Sequence, residues 1–251
     1  MDEKPFEGMT ALVTGGAQRI GKVIALRLGE LGANVAVHYR GSGAQAYGVC
    51  SQLQAKGVKA VALQADLADP EACKALVASA RKEVGHAIDF LVNNASTFPA
   101  VRLQELEWDV LAATLKVDAW APLELTRAVH KQLRKRGGAV VNLLDARIAD
   151  HDLGHAGYFL AKRMLADITR MAAIEFAPQM RVSGVAPGPI LPPKDGDASD
   201  LARWAKHLPL LRPPTPDDVA DAVLYLLGAR GVTGDVISVD GGRHLGRAVY
   251  G

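Results

Sequence analysis

Apolar residues along the chain fall into short runs, separated by longer stretches in which they recur every three to four positions. Runs of about five apolar residues bounded by glycine or polar residues are typical of strands buried on both faces of a parallel sheet. Seven such runs are present, and they predict strands at residues 9–14, 34–39, 58–64, 88–93, 139–145, 180–186 and 235–239.

The stretches between these runs have a helical period. They predict one helix that follows the first run and ends at Gly32, and further helices at 43–56, 70–85, 108–134, 155–177 and 216–228. Strands that alternate with helices predict an α/β fold, with one parallel sheet and helices on both faces.

No linker or shift in composition divides the chain, so we expect a single domain over residues 1–251. The one long irregular segment, residues 187–216, is rich in proline, glycine and aspartate. A connection of this length usually serves a site. We therefore expect a substrate loop there, with a short helix near 199–207.

Composition and charge argue against several classes of function. The formal net charge is only +2 and no basic run stands out, so no nucleic-acid partner is expected. No apolar run approaches the ~18 residues of a membrane span, and the charged N-terminus lacks the apolar core of a secretory signal. Cys50 and Cys73 lie in no motif, and we interpret them as reduced packing residues of a cytoplasmic protein.

A glycine turn, Thr14-Gly15-Gly16-Ala17-Gln18-Arg19-Ile20-Gly21, joins the first strand to the first helix. Free N–H groups at a helix N-terminus bind phosphate, so a turn at this position indicates a nucleotide site. Gly15 would permit the tight turn, and Gly21 would let the helix approach the strand. We expect Arg19 to face a bound anion, with Ile20 beside it. A plain strand-to-helix turn is the alternative.

The end of the second strand indicates which nucleotide binds. NAD sites place Asp or Glu there for the ribose 2′-hydroxyl, but this chain has no acidic residue between Glu30 and Asp66. Basic and hydroxyl side chains suit an anionic 2′-phosphate instead. We therefore predict NADPH, bound by His38, Tyr39, Arg40 and Ser42. An exposed basic turn without a ligand is the alternative.

Polar residues also follow the third and fourth strands. Asp66-Leu67 stands where an adenine amino group could be recognised, and Asn93-Asn94-Ala95-Ser96 ends the fourth strand. Open parallel sheets bind ligands at this carboxyl edge, although an asparagine that only caps a turn gives the same pattern. Phe98 follows in a polar turn, where a core role is less natural.

Tyr158 and Lys162 lie four residues apart on the helix predicted at 155–177, so both side chains leave the same face. A cation beside a phenol lowers the phenol pKa from ~10 toward neutrality. A tyrosine with such a pKa suits a proton donor in a reduction. A tyrosine that only packs on a lysine stem has the same spacing.

The chain resembles the short-chain dehydrogenase/reductase family over nearly its whole length. It carries the motifs of that family in order, namely the glycine turn, Asn94-Ala95, Tyr158-x-x-x-Lys162 and Pro187-Gly188. The resemblance implies a Rossmann fold with a doubly wound seven-stranded parallel sheet. It also implies that Lys162 holds the nicotinamide ribose. Pro187, Gly188 and Ile190 would then border the nicotinamide.

Three features resemble the pteridine reductases within that family. Arg19 replaces the central glycine of the usual motif, and Asp145 occupies the position of the usual catalytic serine. Ser96-Thr97-Phe98 resembles a segment whose Ser contacts cofactor and pterin and whose Phe stacks on the pterin ring. A carboxylate at position 145 would repel a ketone oxygen, whereas reduction of a C=N bond needs a proton that an Asp–Tyr pair can relay. A drifted, inactive enzyme is the alternative.

The resemblance also implies a homotetramer, paired through the helices at 108–134 and 155–177. In similar pteridine reductases the C-terminal tail presents an Arg to a neighbouring subunit's active site, and the matching residue is Arg247. A frayed terminus is the alternative. Asp118 stands where the family usually has an Asn that completes the proton relay.

We therefore expect an NADPH-dependent enzyme that reduces a pterin or dihydrofolate ring. Its catalytic residues would be Asp145, Tyr158 and Lys162. The substrate would be bound by Arg19, Ser96, Phe98, Tyr158 and Arg247. The alternatives are a reductase of another carbonyl, such as a 3-oxoacyl thioester or a quinone, and a non-catalytic NADPH-binding sensor.

Overall fold

Seven strands form one sheet in the computed structural model, which describes residues 4–133, 137–149, 151, 153–192 and 203–246. The strands are β1 (Thr10–Val13), β2 (Asn34–Tyr39), β3 (Ala60–Gln64), β4 (Phe90–Asn93), β5 (Gly138–Leu143), β6 (Met180–Pro187) and β7 (Val236–Val239). Their order across the sheet is β3-β2-β1-β4-β5-β6-β7, and each neighbouring pair is parallel. The predicted seven-stranded parallel sheet is confirmed.

Helices cover both faces of this sheet, as a doubly wound fold requires. They are α1 (Arg19–Glu30), α2 (Gly43–Ala55), α3 (Pro70–Val84), α4 (Trp108–Leu115), α5 (Ala121–Gln132), α6 (Ala156–Glu175) and α7 (Pro216–Gly228). One core packs α1, α2 and α7 on the sheet, and a second packs α3, α5 and part of α6. Because side chains alternate along a strand, Val13 enters the first core and Leu12 the second.

The helix predicted at 108–134 is present as one run of helical backbone over 108–132, but it is not α-helical throughout. A π-helical turn at Lys116–Trp120 lies between α4 and α5. Pro122 explains this turn, because it has no N–H to donate to the carbonyl group of Asp118, four residues earlier. The N–H of Ala121 bonds instead to the carbonyl of Lys116, five residues earlier. Asp118 lies inside this turn and is fully buried.

The remaining expectations about segments are met in part. Residues 203–205, within the predicted short helix of the substrate loop, are helical, and residues 193–202 lie outside the described residues. Cys50 and Cys73 are free and buried, and burial raises the pKa of each thiol to about 11. In the described part of the chain, no helix combines the length and apolar composition needed to span a membrane.

Candidate active site

The glycine turn between β1 and α1 leaves no room for side chains at two positions. Gly15 has a φ of +62°, a left-handed conformation that glycine adopts without strain. A Cβ atom on Gly21 would lie 2.3 Å from the Gly15 carbonyl oxygen and 2.4 Å from Nδ2 of Asn94. Glycine at both positions therefore brings the N-terminus of α1 against the end of β1.

Thr14 and Asn94 join the ends of β1 and β4, the strands at which the order across the sheet reverses. The Thr14 hydroxyl oxygen accepts hydrogen bonds from the N–H groups of Asn94 at 2.9 Å and Ala95 at 3.0 Å. In return, Nδ2 of Asn94 donates to the Thr14 carbonyl at 2.8 Å. A crevice at such a topological switch point is the usual ligand site of an open α/β sheet.

His38 supports the glycine turn and does not face a ligand. It is only 2% exposed, with Nδ1 3.2 Å from the Gly15 nitrogen and Nε2 3.2 Å from the Ala65 carbonyl oxygen. An N–H can only donate and a carbonyl can only accept, so the ring is neutral and protonated at Nε2. Burial accordingly lowers the His38 pKa. The prediction that His38 contacts the nucleotide phosphate is wrong, because both ring nitrogens are engaged by backbone.

Two helix N-termini near the carboxyl edge have no side-chain cap. Within the described residues, neither Gln18 at α1 nor Ser42 at α2 caps its helix through the side chain, and neither first turn contains an acidic residue. The N-terminus of α6 shares both features, whereas Asp69 caps α3 and Thr215 forms a capping box at α7. Uncapped N–H groups and the helix dipole favour an anion, and the exposed Arg40 adds positive charge beside α2.

The other predicted nucleotide contacts differ in exposure. The side chains of Tyr39 and Leu67 are largely buried, with 9% and 6% of their surface exposed. Asp66 is exposed, and one of its carboxylate oxygens accepts a hydrogen bond of 3.0 Å from the N–H of Ala68. Asp66 is thus the side chain of this group that can contact an adenine.

Arg19 begins α1 with a φ of +52°, a left-handed conformation that costs a non-glycine residue about 1–2 kcal/mol. Its side chain is exposed, and Nη2 donates a hydrogen bond of 3.2 Å to the carbonyl of Pro192. Arg19 therefore links the glycine turn to the start of the substrate loop. Strained backbone of this kind is concentrated at functional sites.

The structure brings Tyr158, Lys162 and Asp145 together. The Tyr158 hydroxyl donates to Oδ2 of Asp145 at 3.1 Å, and the other oxygen of Asp145 accepts from the N–H of Arg147 at 2.8 Å. Lys162 is buried; its Nζ donates to the Leu143 carbonyl at 2.8 Å and lies 5.6 Å from the centre of the Tyr158 ring. A phenol, a carboxylate and an ammonium thus meet where β5 ends.

The lowered Tyr158 pKa that its spacing from Lys162 predicts is not found. Burial, followed by the negative charges of Asp145 and Asp118, raises the pKa of Tyr158 well above its ordinary value. Burial also lowers the pKa of Lys162. The prediction was wrong because it considered the ammonium alone and neither desolvation nor the two carboxylates. Tyr158 is therefore a protonated phenol at neutral pH.

Asp118 adds a second carboxylate beside this group. Its Oδ1 lies 3.7 Å from Nζ of Lys162 and accepts a hydrogen bond from the Ser96 hydroxyl. Its Oδ2 accepts from the N–H of Thr97 at 3.0 Å and from the Thr97 hydroxyl at 2.6 Å. The segment that follows β4 is thus fastened to the π-helical turn.

Phe98 and a histidine that the sequence analysis missed form an aromatic wall. Phe98 is 58% exposed, its ring stacks on His155 with centroids 3.8 Å apart, and it meets Tyr158 edge-to-face at 4.7 Å. His155 directly precedes α6. A lone histidine before a helix carries no motif, so only its contact with Phe98 identifies it.

The C-terminal segment lies against the end of β6. A Cβ on Gly188 would come within 2.7 Å of the Cβ of Asp240, so the two backbones can pack this closely only with glycine at 188. Asp240 is buried, its Oδ2 accepts a hydrogen bond of 2.7 Å from the N–H of His244, and the same oxygen lies 2.9 Å from Nδ1 of that residue. Ile190, also a predicted contact, is buried. Arg247 lies outside the described residues, and its role stays a prediction.

One edge of the sheet therefore carries a glycine turn before an uncapped helix N-terminus, a buried phenol next to an ammonium, and an aromatic wall. The fold and this site define a dinucleotide-dependent oxidoreductase. A family model described as Enoyl-(Acyl carrier protein) reductase matches residues 15–244. The chain belongs to the short-chain dehydrogenase/reductase family.

Individual relatives differ in the substrates that their names give. The 3-oxoacyl-[acyl-carrier-protein] reductase FabG of Staphylococcus aureus is 35% identical over 244 residues, which cover 94% of this chain and 98% of the relative. Pteridine reductase 1 of Leishmania tarentolae is 34% identical over a match that covers 95% of this chain and 97% of the relative. The crystal structure of FolM alternative dihydrofolate reductase 1 from Brucella canis, complexed with NADP, superposes with a TM-score of 0.90 at 34% identity, covering 96% of each chain.

Proposed function

We propose that the chain is an NADPH-dependent reductase of a flat heterocycle, namely a pterin or a dihydrofolate. The hydrogen bond from Tyr158 to Asp145, next to the exposed ring of Phe98, is the observation that carries the proposal. It combines a proton-transfer pair with an aromatic surface. The similarity to pteridine reductase 1 and to the FolM structure supports the same substrate class.

The residues fit NADPH at two anion-binding positions. The uncapped N-terminus of α1 and the glycine turn suit the pyrophosphate, and Arg40 and Ser42 at the N-terminus of α2 suit the 2′-phosphate. Asn94 and Lys162 would complete the site toward the nicotinamide ribose. When bound, NADPH supplies the hydride.

Tyr158 would deliver the proton to the ring nitrogen whose C=N bond is reduced. Its hydroxyl is buried and held by Asp145, and Asp145 is only half-buried, so the carboxylate can take a replacement proton from solvent. The ammonium of Lys162 would stabilise the phenolate that remains after transfer. The ring would stack on the face of Phe98 that His155 does not cover, in a geometry that aromatic rings favour.

A 3-oxoacyl thioester is the second candidate substrate, favoured by the similarity to the Staphylococcus aureus reductase and by the description of the family model. Its carbonyl oxygen would have to approach Tyr158 beside the carboxylate of Asp145. Like charges repel as negative charge develops on that oxygen, so this arrangement favours a nitrogen acceptor. A non-catalytic NADPH sensor is the third candidate, and measurable NADPH oxidation would exclude it.

Binding of a diaminopteridine antifolate to the NADPH-loaded protein tests the proposal. We expect Phe98→Leu to weaken antifolate binding about tenfold, because stacked rings contribute roughly 0.5–1.5 kcal/mol beyond their burial, and to leave NADPH affinity unchanged. Tyr225→Leu is a matched control, because Tyr225 on α7 is 58% exposed, as Phe98 is. Equal antifolate binding by Phe98→Leu and the unmodified protein would contradict the proposal.

Exposed apolar side chains support the predicted homotetramer. Trp108 on α4 is 70% exposed, and Met171 and Ile174 on α6 are 66% and 81% exposed. Large apolar side chains in water mark interaction surfaces when they adjoin one another, as Met171 and Ile174 do three residues apart on α6. We expect light scattering to give the mass of a tetramer and Ile174→Lys to reduce it, whereas a monomeric unmodified protein would contradict this prediction.

A further inference from the structure

Asp118 is a buried carboxylate to which the reaction proposed above assigns no role. It sits in the π-helical turn that Pro122 imposes, with none of its surface exposed. Its oxygens accept from the Ser96 hydroxyl and from both the N–H and the hydroxyl of Thr97. Several donors on one carboxylate fix the geometry of the segment that carries them, so the backbone before Phe98 is held in place.

The same carboxylate is the near counter-charge of the Lys162 ammonium, at 3.7 Å. An unpaired ammonium in the protein interior tends to lose its proton, because burial disfavours the charged form. Burial does lower the pKa of Lys162, and the charge of Asp118, followed by that of Asp145, opposes this effect. Asp118 thus touches both the ring-binding segment and the ammonium of the proton-transfer group.

We propose that Asp118 is a positioning residue that ties the segment carrying Phe98 to the Lys162 ammonium, so that the ring-binding surface and the proton-transfer group keep one fixed separation. The inference rests on the proposed reductase function and assigns a residue to that same site. The two contacts of Asp118 can be separated, since an asparagine oxygen still accepts from the N–H of Thr97. Its NH₂ group can neither accept from Lys162 nor neutralise it.

The charged groups around Tyr158 and Lys162 determine in which direction the pKa values of these two residues change when Asp118 is replaced. Tyr158 is influenced by Asp145, Asp118 and Arg147, and Lys162 by Asp118 and Asp145. The charge of Asp118 raises the pKa of Tyr158 and that of Lys162, so its removal should lower both pKa values. Both groups would then lose their protons at lower pH.

The pH dependence of kcat/KM for Asp118→Asn tests the charge. We expect the alkaline limb to move to lower pH by roughly one unit, the usual effect of a charge close to a titrating group, with little change in KM for the substrate. Asp109→Asn makes the same chemical change at an exposed position in the first turn of α4, and should move neither quantity. An unmoved alkaline limb in Asp118→Asn would overturn the inference.

Thr97→Val tests the hydrogen bonds that hold the segment before Phe98 on Asp118. This variant tests the inference even if Asp118→Asn does not fold. It removes one donor to Asp118 and keeps the charge, so we expect KM for the substrate to rise severalfold while the alkaline limb stays in place. An unchanged KM, or an alkaline limb that moves as far as in Asp118→Asn, contradicts the positioning role.

Both variants are measured with a dihydropterin and with an acetoacetyl thioester. Activity on the thioester alone contradicts the proposed substrate but leaves the pH shift and the KM change measurable on that substrate. Inactivity on both substrates contradicts the reductase function itself, and with it the inference.

Discussion

The hydroxyl of Tyr158 donates a hydrogen bond of 3.1 Å to the carboxylate of Asp145. The carboxylate is fixed in turn, because its other oxygen accepts from the N–H of Arg147. A serine hydroxyl at position 145 could donate to a substrate oxygen, whereas an ionised carboxylate can only accept. Asp145 can therefore accept from an N–H group of a heterocyclic substrate, a donor that a ketone oxygen does not offer.

Asp145→Ser should change the preferred substrate. We expect kcat/KM for a dihydropterin to fall by about tenfold or more, since the proton relay loses its carboxylate, and reduction of an acetoacetyl thioester to increase. Steady-state NADPH oxidation with the two substrates measures both effects. Unchanged dihydropterin reduction would mean that Asp145 has only a structural role in the turn after β5.

Arg40→Asp should erase or reverse the preference for NADPH. The unmodified protein is expected to prefer NADPH over NADH by about tenfold or more in kcat/KM, equivalent to about 1.4 kcal/mol, because Arg40 and the N-terminus of α2 suit a 2′-phosphate. An aspartate at this position repels that phosphate and can accept from a ribose hydroxyl. Equal use of both cofactors by the unmodified protein would disprove the assignment.

Arg19→Gly should separate function from stability. Glycine removes the left-handed strain of about 1–2 kcal/mol at this position. It also raises the conformational entropy of the unfolded chain, which lowers the free energy of unfolding by about 0.4–1 kcal/mol. We therefore expect the free energy of unfolding to change by less than about 2 kcal/mol, while NADPH affinity and turnover fall. Denaturant titration and fluorescence titration measure these two effects. A destabilisation of several kcal/mol would show that the Arg19 contact to Pro192 is structural.

His38 should make both stability and NADPH binding sensitive to acid. Burial lowers the His38 pKa in the folded state, so below the unfolded value of about 6.5 the unfolded chain binds the extra proton first. The free energy of unfolding should therefore be unaffected by His38 above about pH 6.5 and should fall as the pH decreases below it. A protonated ring also cannot accept from the N–H of Gly15, which weakens the glycine turn.

His38→Asn provides the comparison, because an asparagine oxygen can replace Nδ1 as acceptor and does not titrate. The variant should be less stable at neutral pH, by about 1–3 kcal/mol for the unpaired Ala65 carbonyl, but should lose part of the acid sensitivity. Parallel pH dependence of the two proteins between pH 7 and 5 would contradict this account.

The regular parts of the fold could be predicted because their signals are local. Short apolar runs define the strands, and the glycines at 15 and 21 follow from the lack of space in the turn. The π-helical turn before Pro122 could have been predicted from the missing N–H, but continuous apolar periodicity concealed it. The uncapped N-termini of α1 and α2 were visible only as an absence of acidic residues.

Contacts between distant segments could not be predicted in the same way. His38 lies near the end of β2, two residues before Arg40, so its sequence position suggested a phosphate ligand. Only the fold shows that its ring turns inward to Gly15 and Ala65. The pKa of Tyr158 depends on desolvation and on Asp118, and neither follows from the i, i+4 spacing with Lys162. His155 has no sequence signal apart from its stacking on Phe98.

Steady-state NADPH oxidation with dihydrobiopterin, dihydrofolate and an acetoacetyl thioester tests the proposed function most directly, with Tyr158→Phe as the inactive control. We expect kcat/KM for at least one of the two pteridines to exceed that for the thioester by about tenfold or more, or about 1.4 kcal/mol. Tyr158→Phe should lose most turnover, about 10²-fold or more. A larger kcat/KM for the thioester, with no turnover of either pteridine, would contradict the proposed function.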